Sequence, residues 1–184
     1  SAIDMLMKFG DVESAERIFR SIKIKNIITY GAMVKGYVGN EMFEKALDLF
    51  EQIDIELGDV TYTIVFNACA KLCNDRAMKI GKELLAKMPE NYRNDNIIST
   101  SALDMLMKFG DIESAERMFR SIKAKGTTIY GALMNGYNLN GESWKCFKIF
   151  EEMNEKDIIP DEIAWNILIG ACSKKPDSNA KRID

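Results

Sequence analysis

One stretch of this chain is written twice. Ser1–Lys25 reads SAIDMLMKFGDVESAERIFRSIKIK, and 100 residues later Ser101–Lys125 reads SALDMLMKFGDIESAERMFRSIKAK. Nearly every difference replaces one aliphatic side chain by another. A copy at a fixed offset restricts the fold more than any local propensity does, because the chain must be assembled from units that stack.

Each copy divides at a glycine. Before it, Ala2, Met5, Leu6 and Phe9 recur at helical spacing and predict one apolar face. Gly10 and Gly110 stand where a helix closes with a left-handed residue. Asp11 and Asp111 can cap the next helix, with Glu13 and Glu113 in its positively polarised first turn. That second helix carries Val12, Ala15, Phe19 and Ile22 and ends on Lys23 and Lys25, at its negative pole. Two antiparallel helices result, each too short to persist alone in water. They must bury their apolar sides on neighbouring pairs, as in a solenoid whose units touch mainly the next unit.

The composition agrees. With 47% apolar residues, 184 residues can bury a sizeable core. No apolar run approaches the length of a membrane span, and no cationic leader with an apolar segment is visible, so neither a membrane nor secretion is expected. Pro89, Pro160 and Pro176 fall between predicted helices. Cys69, Cys73, Cys146 and Cys172 have no metal-site spacing and read as small buried hydrophobes in a reducing compartment. Histidine is absent. That removes Ser-His-Asp and Cys-His nucleophile systems and the usual zinc-hydrolase sites. No cofactor is expected. The formal charge of −3 counts mildly against a nucleic-acid partner, which prefers a basic surface, although net charge is not its distribution.

Further helix pairs follow in order. A helix over Tyr30–Val38 precedes a partner with a buried stripe of Met42, Ala46, Leu49, Phe50 and Ile53. A third pair starts near Asp59, with Asn74 or Asp75 capping its second helix and Pro89 closing it. The short pair returns at Asn96. From Thr127 another pair turns at Gly141, with Ser143 as a cap and Trp144, Phe147, Ile149 and Phe150 filling its second helix. A last first-helix follows Asp161, then a polar tail. The chain starts and stops inside helix pairs, as a piece of a longer array would.

Units of about 31, 32–35 and 37 residues do not fit the even tetratricopeptide length near 34. The residues Tyr-Gly-Ala-Leu-Met-Asn-Gly-Tyr (130–137), Phe-Glu-Glu-Met (150–153) and Ile-Pro-Asp (159–161) resemble the pentatricopeptide repeat. Ala-Cys-Ala-Lys (68–71), Ala-Cys-Ser-Lys (171–174) and Asp-Met-Leu-Met-Lys-Phe-Gly (104–110) resemble its plant-type P-L-S subclass. The resemblance implies an all-α, right-handed α-solenoid superhelix of stacked antiparallel helix pairs, about five repeats long. Its divisions would be 1–26 (partial S-type), 27–58 (P), 59–95 (L), 96–126 (S), 127–161 (P) and 162–184 (partial L).

The same resemblance implies single-stranded RNA as the partner, read one base per repeat by a short polar residue early in the first helix together with the last residue of the repeat. The readers would be Gly31 with Gly58 or Asp59, Thr63 with Asp95, Thr100 with Gly126, Gly131 with Asp161, and Asn166 with a residue beyond the chain. Hydroxyl, amide and carboxylate groups suit the edges of splayed-out bases. By the family's rule Thr63–Asp95 favours guanine and Asn166 a pyrimidine, whereas Gly31 and Gly131 have no side chain to read with. Ile28, Val60, Ile97, Thr128 and Ile163 would pack on base faces. Lys8, Lys71, Lys108 and Lys174 would approach phosphates. Plainer roles compete: N-terminal capping for Thr63, Thr100 and Asn166, and a solvated last helical turn for the lysines. Tyr37, Tyr137, Trp144 and Phe119 read as core, and burial between repeats is the better role for Tyr62 and Trp165.

Two functions follow. One is sequence-specific RNA binding that guides organellar processing such as C-to-U editing in a mitochondrion or plastid. The deaminase zinc site needs His-x-Glu and Cys-x-x-Cys, and neither occurs here, so a deaminase or other processing factor would act in trans or downstream and this chain would not be an enzyme. The other is a protein-binding helical scaffold gripping a peptide with an acidic concave face.

Overall fold

The computed structural model describes residues 1–53 and 58–173, and all regular structure among them is helical. It comprises α1 (Ala2–Lys8), α2 (Val12–Ser21), α3 (Ile27–Gly39), α4 (Phe43–Phe50), α5 (Asp59–Leu72) and α6 (Asp75–Lys87). Then follow α7 (Glu90–Arg93), α8 (Asn96–Lys108), α9 (Ile112–Ser121), α10 (Thr127–Leu139), α11 (Lys145–Glu155) and α12 (Glu162–Ser173). No helix among these residues is long and apolar enough to cross a membrane. Two compact units divide the chain, Ser1–Met88 and Pro89 onward. In the first, hairpins α1/α2, α3/α4 and α5/α6 stack through their first helices, α1 on α3 and α3 on α5. In the second, α8/α9 and α10/α11 stack in the same way and α12 packs on α10 and α11.

Local chemistry sets the helix boundaries. Asn26 accepts from the Thr29 N–H at 3.0 Å, Asn74 from Ala77 at 2.8 Å and Asp95 from Ile97 and Ile98 at 2.9 and 3.0 Å, satisfying donors that a helix start leaves orphaned. Asp11 and Asp111 each cap through Ser14 and Ser114, both at 3.1 Å. Ser143 does not cap α11. Trp144 holds that place without a side-chain bond, and Ser143 contributes its carbonyl to the Cys146 N–H.

The turn inside each hairpin requires one left-handed residue. Gly10, Gly110 and Gly141 supply it at φ of 78°, 73° and 77°, but Glu41 and Cys73 stand in the equivalent turns at 58° and 47°. A side chain there costs about 1–2 kcal/mol.

Stacking depends on close helix approach. A Cβ on Gly36 would lie 2.3 Å from Met7 Cγ, and one on Gly136 would lie 2.2 Å from Met107 Cγ. Glycine is therefore the only residue that lets α3 settle on α1 and α10 on α8. An asparagine locks each approach. Asn40 Nδ2 donates to the carbonyls of Met7 (2.9 Å) and Gly36 (2.8 Å), and Asn140 Nδ2 donates to those of Met107 and Gly136 (both 2.8 Å).

Beside the glycine, the Tyr37 hydroxyl donates to Glu16 Oε1 at 2.9 Å while Lys45 pairs with the same oxygen at 2.9 Å. Tyr137, Glu116 and Lys145 repeat this at 2.8 and 2.9 Å. The Lys45 bond holds the Glu16 carboxyl below its usual range. At Glu116 burial works against ionisation, yet Lys145 and Tyr137 outweigh it. Burial and the neighbouring carboxylate push both tyrosines up. Phe19–Tyr30 and Phe119–Tyr130 meet edge-on at 5.4 and 5.1 Å.

Several apolar positions differ from the sequence expectation. Met5 and Phe9 are exposed, and α1 buries Ile3 and Met7 instead. They lie on the side that its partners α2 and α3 leave open. In α11 the core residues are Cys146 and Met153, while Trp144 and Phe147 are exposed. Helix phase starting one residue after Trp144 turns both rings outward. Trp165 is exposed too, edge-on to Phe150 at 4.7 Å, whereas Tyr62, Tyr37, Tyr137 and Phe119 are core. Of the cysteines, Cys69 and Cys146 are buried, but Cys73 and Cys172 are exposed. Burial pushes the Cys69 thiol up to about 12.

The glycines give a controlled comparison. Gly36→Ala and Gly136→Ala are expected to lower stability by about 1–3 kcal/mol through overpacking. Gly31→Ala and Gly131→Ala, where a Cβ meets nothing within 4 Å, are expected to raise it by about 0.5–1 kcal/mol through helix propensity. Urea midpoints decide, and equal signs at all four positions would contradict the packing described. Glu41→Gly and Cys73→Gly are each expected to raise stability by roughly 0.5–1 kcal/mol, read as a higher urea midpoint, since relief of left-handed strain exceeds the entropy glycine adds to the unfolded chain.

Candidate nucleic-acid interface

The residue ahead of each long first helix fixes a common register. Asn26, Gly58, Asp95, Gly126 and Asp161 occupy that place before α3, α5, α8, α10 and α12. Five residues on stand Gly31, Thr63, Thr100, Gly131 and Asn166. The sequence left Gly58 and Asp59 as alternatives. In this register Gly58 is the equivalent of Asp95 and Asp161, while Asp59 is the first residue of α5 and its Oδ1 accepts from Val60 N–H at 2.7 Å.

Thr63, Thr100 and Asn166 therefore lie inside the first helices and do not cap them. Thr100 Oγ1 donates to the Asn96 carbonyl at 2.6 Å and Thr63 Oγ1 to that of Asp59 at 3.4 Å. Each hydroxyl proton is thus turned back onto its own helix, which leaves the oxygen as an acceptor. Both threonines are partly exposed, and Asn166 is exposed. The capping work falls to the residues five places earlier. Asp95 accepts from two N–H groups, and Asp161 Oδ1 accepts from Ala164 at 2.8 Å. Gly126 donates its N–H to Asn96 Oδ1 at 3.4 Å.

Two residues after each cap comes an apolar side chain facing water. Ile28, Val60, Ile97 and Ile163 are 71%, 56%, 69% and 63% exposed, and Thr128 is exposed at the corresponding place in α10. A helix that buries its other face has no packing reason to repeat an exposed aliphatic at one register position.

The lysines fall at the other end of the first helices. Lys8 and Lys71 are exposed, and Lys108 is held by Asp104 at 2.7 Å. Lys174 lies outside the described residues. Offsets of two, five, nine and thirteen from the cap are successive steps of three and four, so all of these positions share one stripe of each helix. The ninth position was not singled out from the sequence. It carries Lys35, Asn67, Asp104 and Asn135, and its place four residues from both the reader position and the position that holds Lys71 and Lys108 is the signal that marks it.

Within each unit the structure therefore lines up, along the exposed stripe of the first helices, an aliphatic residue, a small or polar one and a basic end. Ile28, Gly31, Val60, Thr63, Lys8 and Lys71 belong to the first unit. Ile97, Thr100, Lys108, Thr128, Gly131, Ile163 and Asn166 belong to the second, with Asp95, Gly126 and Asp161 at the caps. Thr63 and Asp95 fall in different units. Among the described residues no group of three or more acidic, cysteine or histidine side chains could hold a metal.

Hairpins of this size, locked at a glycine and repeating one exposed stripe, define a helical-repeat array with a periodic exposed wall. A PPR repeat family profile matches residues 25–71 and 125–174, and a PPR repeat profile matches residues 1–27 and 97–127. The chain belongs to the pentatricopeptide repeat family.

It is 32% identical, over 93% of its length, to the pentatricopeptide repeat-containing protein At1g08070, chloroplastic, of Arabidopsis thaliana, of which it spans 24%. To At2g03380, mitochondrial, of the same plant it is 28% identical over 92% of its length, spanning 25%. The chain thus covers about a quarter of these relatives. The crystal structure of the pentatricopeptide repeat protein PPR10 from maize superposes with a TM-score of 0.71 over 92% of this chain and 26% of that one, at 16% identity. PPR10 in complex with an 18-nt psaJ RNA element gives 0.70 at 18% identity. The fold is that of this α-solenoid family.

Asp95 caps α8 through two hydrogen bonds, and its substitutions separate those bonds from its charge. Asp95→Asn is expected to keep the cap and leave stability within a few tenths of a kcal/mol, whereas Asp95→Ala costs about 1 kcal/mol. Thermal unfolding reads both. An equal loss in the two variants would show that the carboxylate's charge, not its hydrogen bonds, holds the start of α8.

Proposed function

We propose that the exposed stripe of the first helices binds single-stranded RNA, one nucleotide to a hairpin. The carrying observation is the repeated exposure of Ile28, Val60, Ile97 and Ile163 two residues after the cap, the last three of them each three residues before a side chain that can read a base edge. An aliphatic surface beside a hydrogen-bonding group suits an unstacked base, which offers a flat apolar face and a polar edge. PPR10, whose fold this chain shares, has been crystallised with an 18-nt RNA element.

Charge along the stripe supports the same partner. The cap end holds Asp95 and Asp161, groups that can accept from base amino and imino donors, whereas Lys8, Lys71 and Lys108 stand at the far end, together with Lys174 in the sequence. Base edges would lie over the first end and phosphates over the second. The acidic groups on second helices, away from this stripe, are largely paired with cations, as at Glu16, Asp48, Glu116 and Glu152. An acidic peptide-gripping wall is the weaker reading for that reason.

In this reading Thr63 with Asp95 and Thr100 with Gly126 select bases. Gly131 leaves Asp161 to act alone, and Asn166 offers its amide to the base at the last hairpin. Gly31 with Gly58 in the register above, or with Asp59 beside it, supplies little or nothing to read with, so that hairpin accepts any base. The alternation of 32-, 37-, 31- and 35-residue spacings between caps follows the P-L-S pattern, and the proposed divisions are those of the sequence expectation. Relatives named chloroplastic and mitochondrial support an organellar setting. A role in C-to-U editing, with the deaminase in trans or in a downstream segment, is the processing step we favour, and no chemical step is assigned to the residues of this chain.

Binding to a random single-stranded RNA pool tests the proposal. Four lysines meeting phosphates predict a log–log salt slope near −3, from roughly 0.7 per phosphate of a single strand. Lys108→Ala is expected to weaken all sequences alike and to make the slope shallower by about 0.7. Thr100→Ala is expected to cut discrimination at one nucleotide by about fivefold, one hydrogen bond's worth, leaving the slope alone. No binding at low salt would end the proposal in favour of a protein-binding scaffold.

A further inference from the structure

The first unit contains a groove of about 460 Å³ between α1, α3 and α5 that the base-reading positions do not account for. Its apolar lining is Met7, Ala32, Val38 and Ile64, and its charged rim is Lys8, Lys35 and Asp4. Along α3, residues Gly31, Lys35 and Gly39 are four apart and share one side of the helix. A Cβ at Gly31 or Gly39 would meet nothing within 4 Å, so packing does not require glycine at either place. The consequence of the two glycines is an open helix surface with one exposed lysine standing between them.

We propose that this groove seats a sugar-phosphate segment of single-stranded RNA, with the Lys35 ammonium on its phosphate. The inference rests on the RNA-binding reading above and adds to it a phosphate contact at a new register position. Lys71 stands thirteen residues after the cap of α5, and Lys8 ends α1 as Lys108 ends α8, but α3 has Gly39 at that place. Lys35, one turn earlier on the same stripe, restores a cation to that hairpin. The bare surface at Gly31 and Gly39 lets the strand approach the helix backbone more closely than any side chain would allow, as a contact displaced by one turn requires.

The one carboxylate on the rim does not neutralise Lys35. Asp4 Oδ2 accepts from the Ser1 hydroxyl at 2.6 Å and from the Ser1 ammonium at 2.9 Å. Lys35 is near enough to help lower the Asp4 pKa, yet it forms no ion pair among the described residues. The second unit supplies an internal contrast. On α10 the matching stripe is Gly131, Asn135 and Leu139, with no cation and with an exposed leucine where α3 has Gly39. The two copies are thus alike in fold and unlike at this groove.

The test uses the whole chain and a random-sequence single-stranded RNA pool. Lys35→Ala is expected to weaken binding about fivefold at low salt and to make the log–log salt slope shallower by about 0.7, the contribution of one phosphate. Lys79→Ala, at an exposed lysine of second helix α6 away from the stripe, is expected to change neither. Gly39→Leu places the α10 residue into α3, where space is open and helix propensity improves. It is expected to weaken RNA binding by a similar factor while the urea midpoint holds or rises. Wild-type binding with no change in Lys35→Ala or in Gly39→Leu, in a series where Lys108→Ala does weaken it, would overturn the groove and leave the RNA reading standing. An absence of wild-type binding would remove the reading itself and this groove with it.

Discussion

The structure depends on how closely one first helix can approach the next. At Gly36 over Met7 and at Gly136 over Met107 the backbone of one helix lies against the side chain of another with no room for a single methyl group. Asn40 and Asn140 then bond a carbonyl on each helix at 2.8–2.9 Å, which sets the approach laterally as well as in depth. A hairpin of two short helices has little cooperative stability of its own, so it is ordered by this contact with its neighbour. The Tyr–Glu–Lys clusters around Glu16 and Glu116 add direction to it, since a hydroxyl on one hairpin must find a carboxylate on the preceding one.

Function inherits that spacing. Because the first helices are locked to one another within each unit, whatever sits on their free stripe recurs at the interval of the hairpins. The stripe need not be chemically uniform. Its cap end carries small and acidic groups and its far end lysines, while the aliphatic residues two places after each cap stay in water where a folded monomer gains nothing from them. A strand of unstacked nucleotides has the same sequence of features: apolar faces, polar edges and a charged backbone at regular distances.

Within that regularity the two copies diverge, and the divergence is informative because the scaffold is held constant. Gly31 and Gly131 match each other, but Lys35 and Gly39 face Asn135 and Leu139 at the corresponding places. Glu41 and Cys73 likewise occupy a left-handed turn that glycine fills in the other hairpins. Neither departure disturbs the helix boundaries. A stack of hairpins can therefore vary its exposed stripe and its turns while the glycine, asparagine and tyrosine that join one hairpin to the next recur in both units.

Much of this was legible in the chain itself. The duplicated stretch, the glycines that end α1 and α8, a cap at Asn74 or Asp75, the start of α8 at Asn96 and the turn at Gly141 all follow from spacing and from backbone preferences that act within a few residues. Those are local forces, and a sequence records them directly. What it could not determine was which apolar side chains find a partner. Met5, Phe9, Trp144 and Phe147 have helical spacing but face open sides, because burial depends on which neighbour arrives. Nor could spacing tell that Thr63 and Thr100 bond their own helices, that Gly58 holds the cap before α5, or that Lys35 and Gly39 border a groove with Met7 and Ile64. Those facts arise from atoms far apart in the chain brought to a few ångströms, and only the stacked helices decide them.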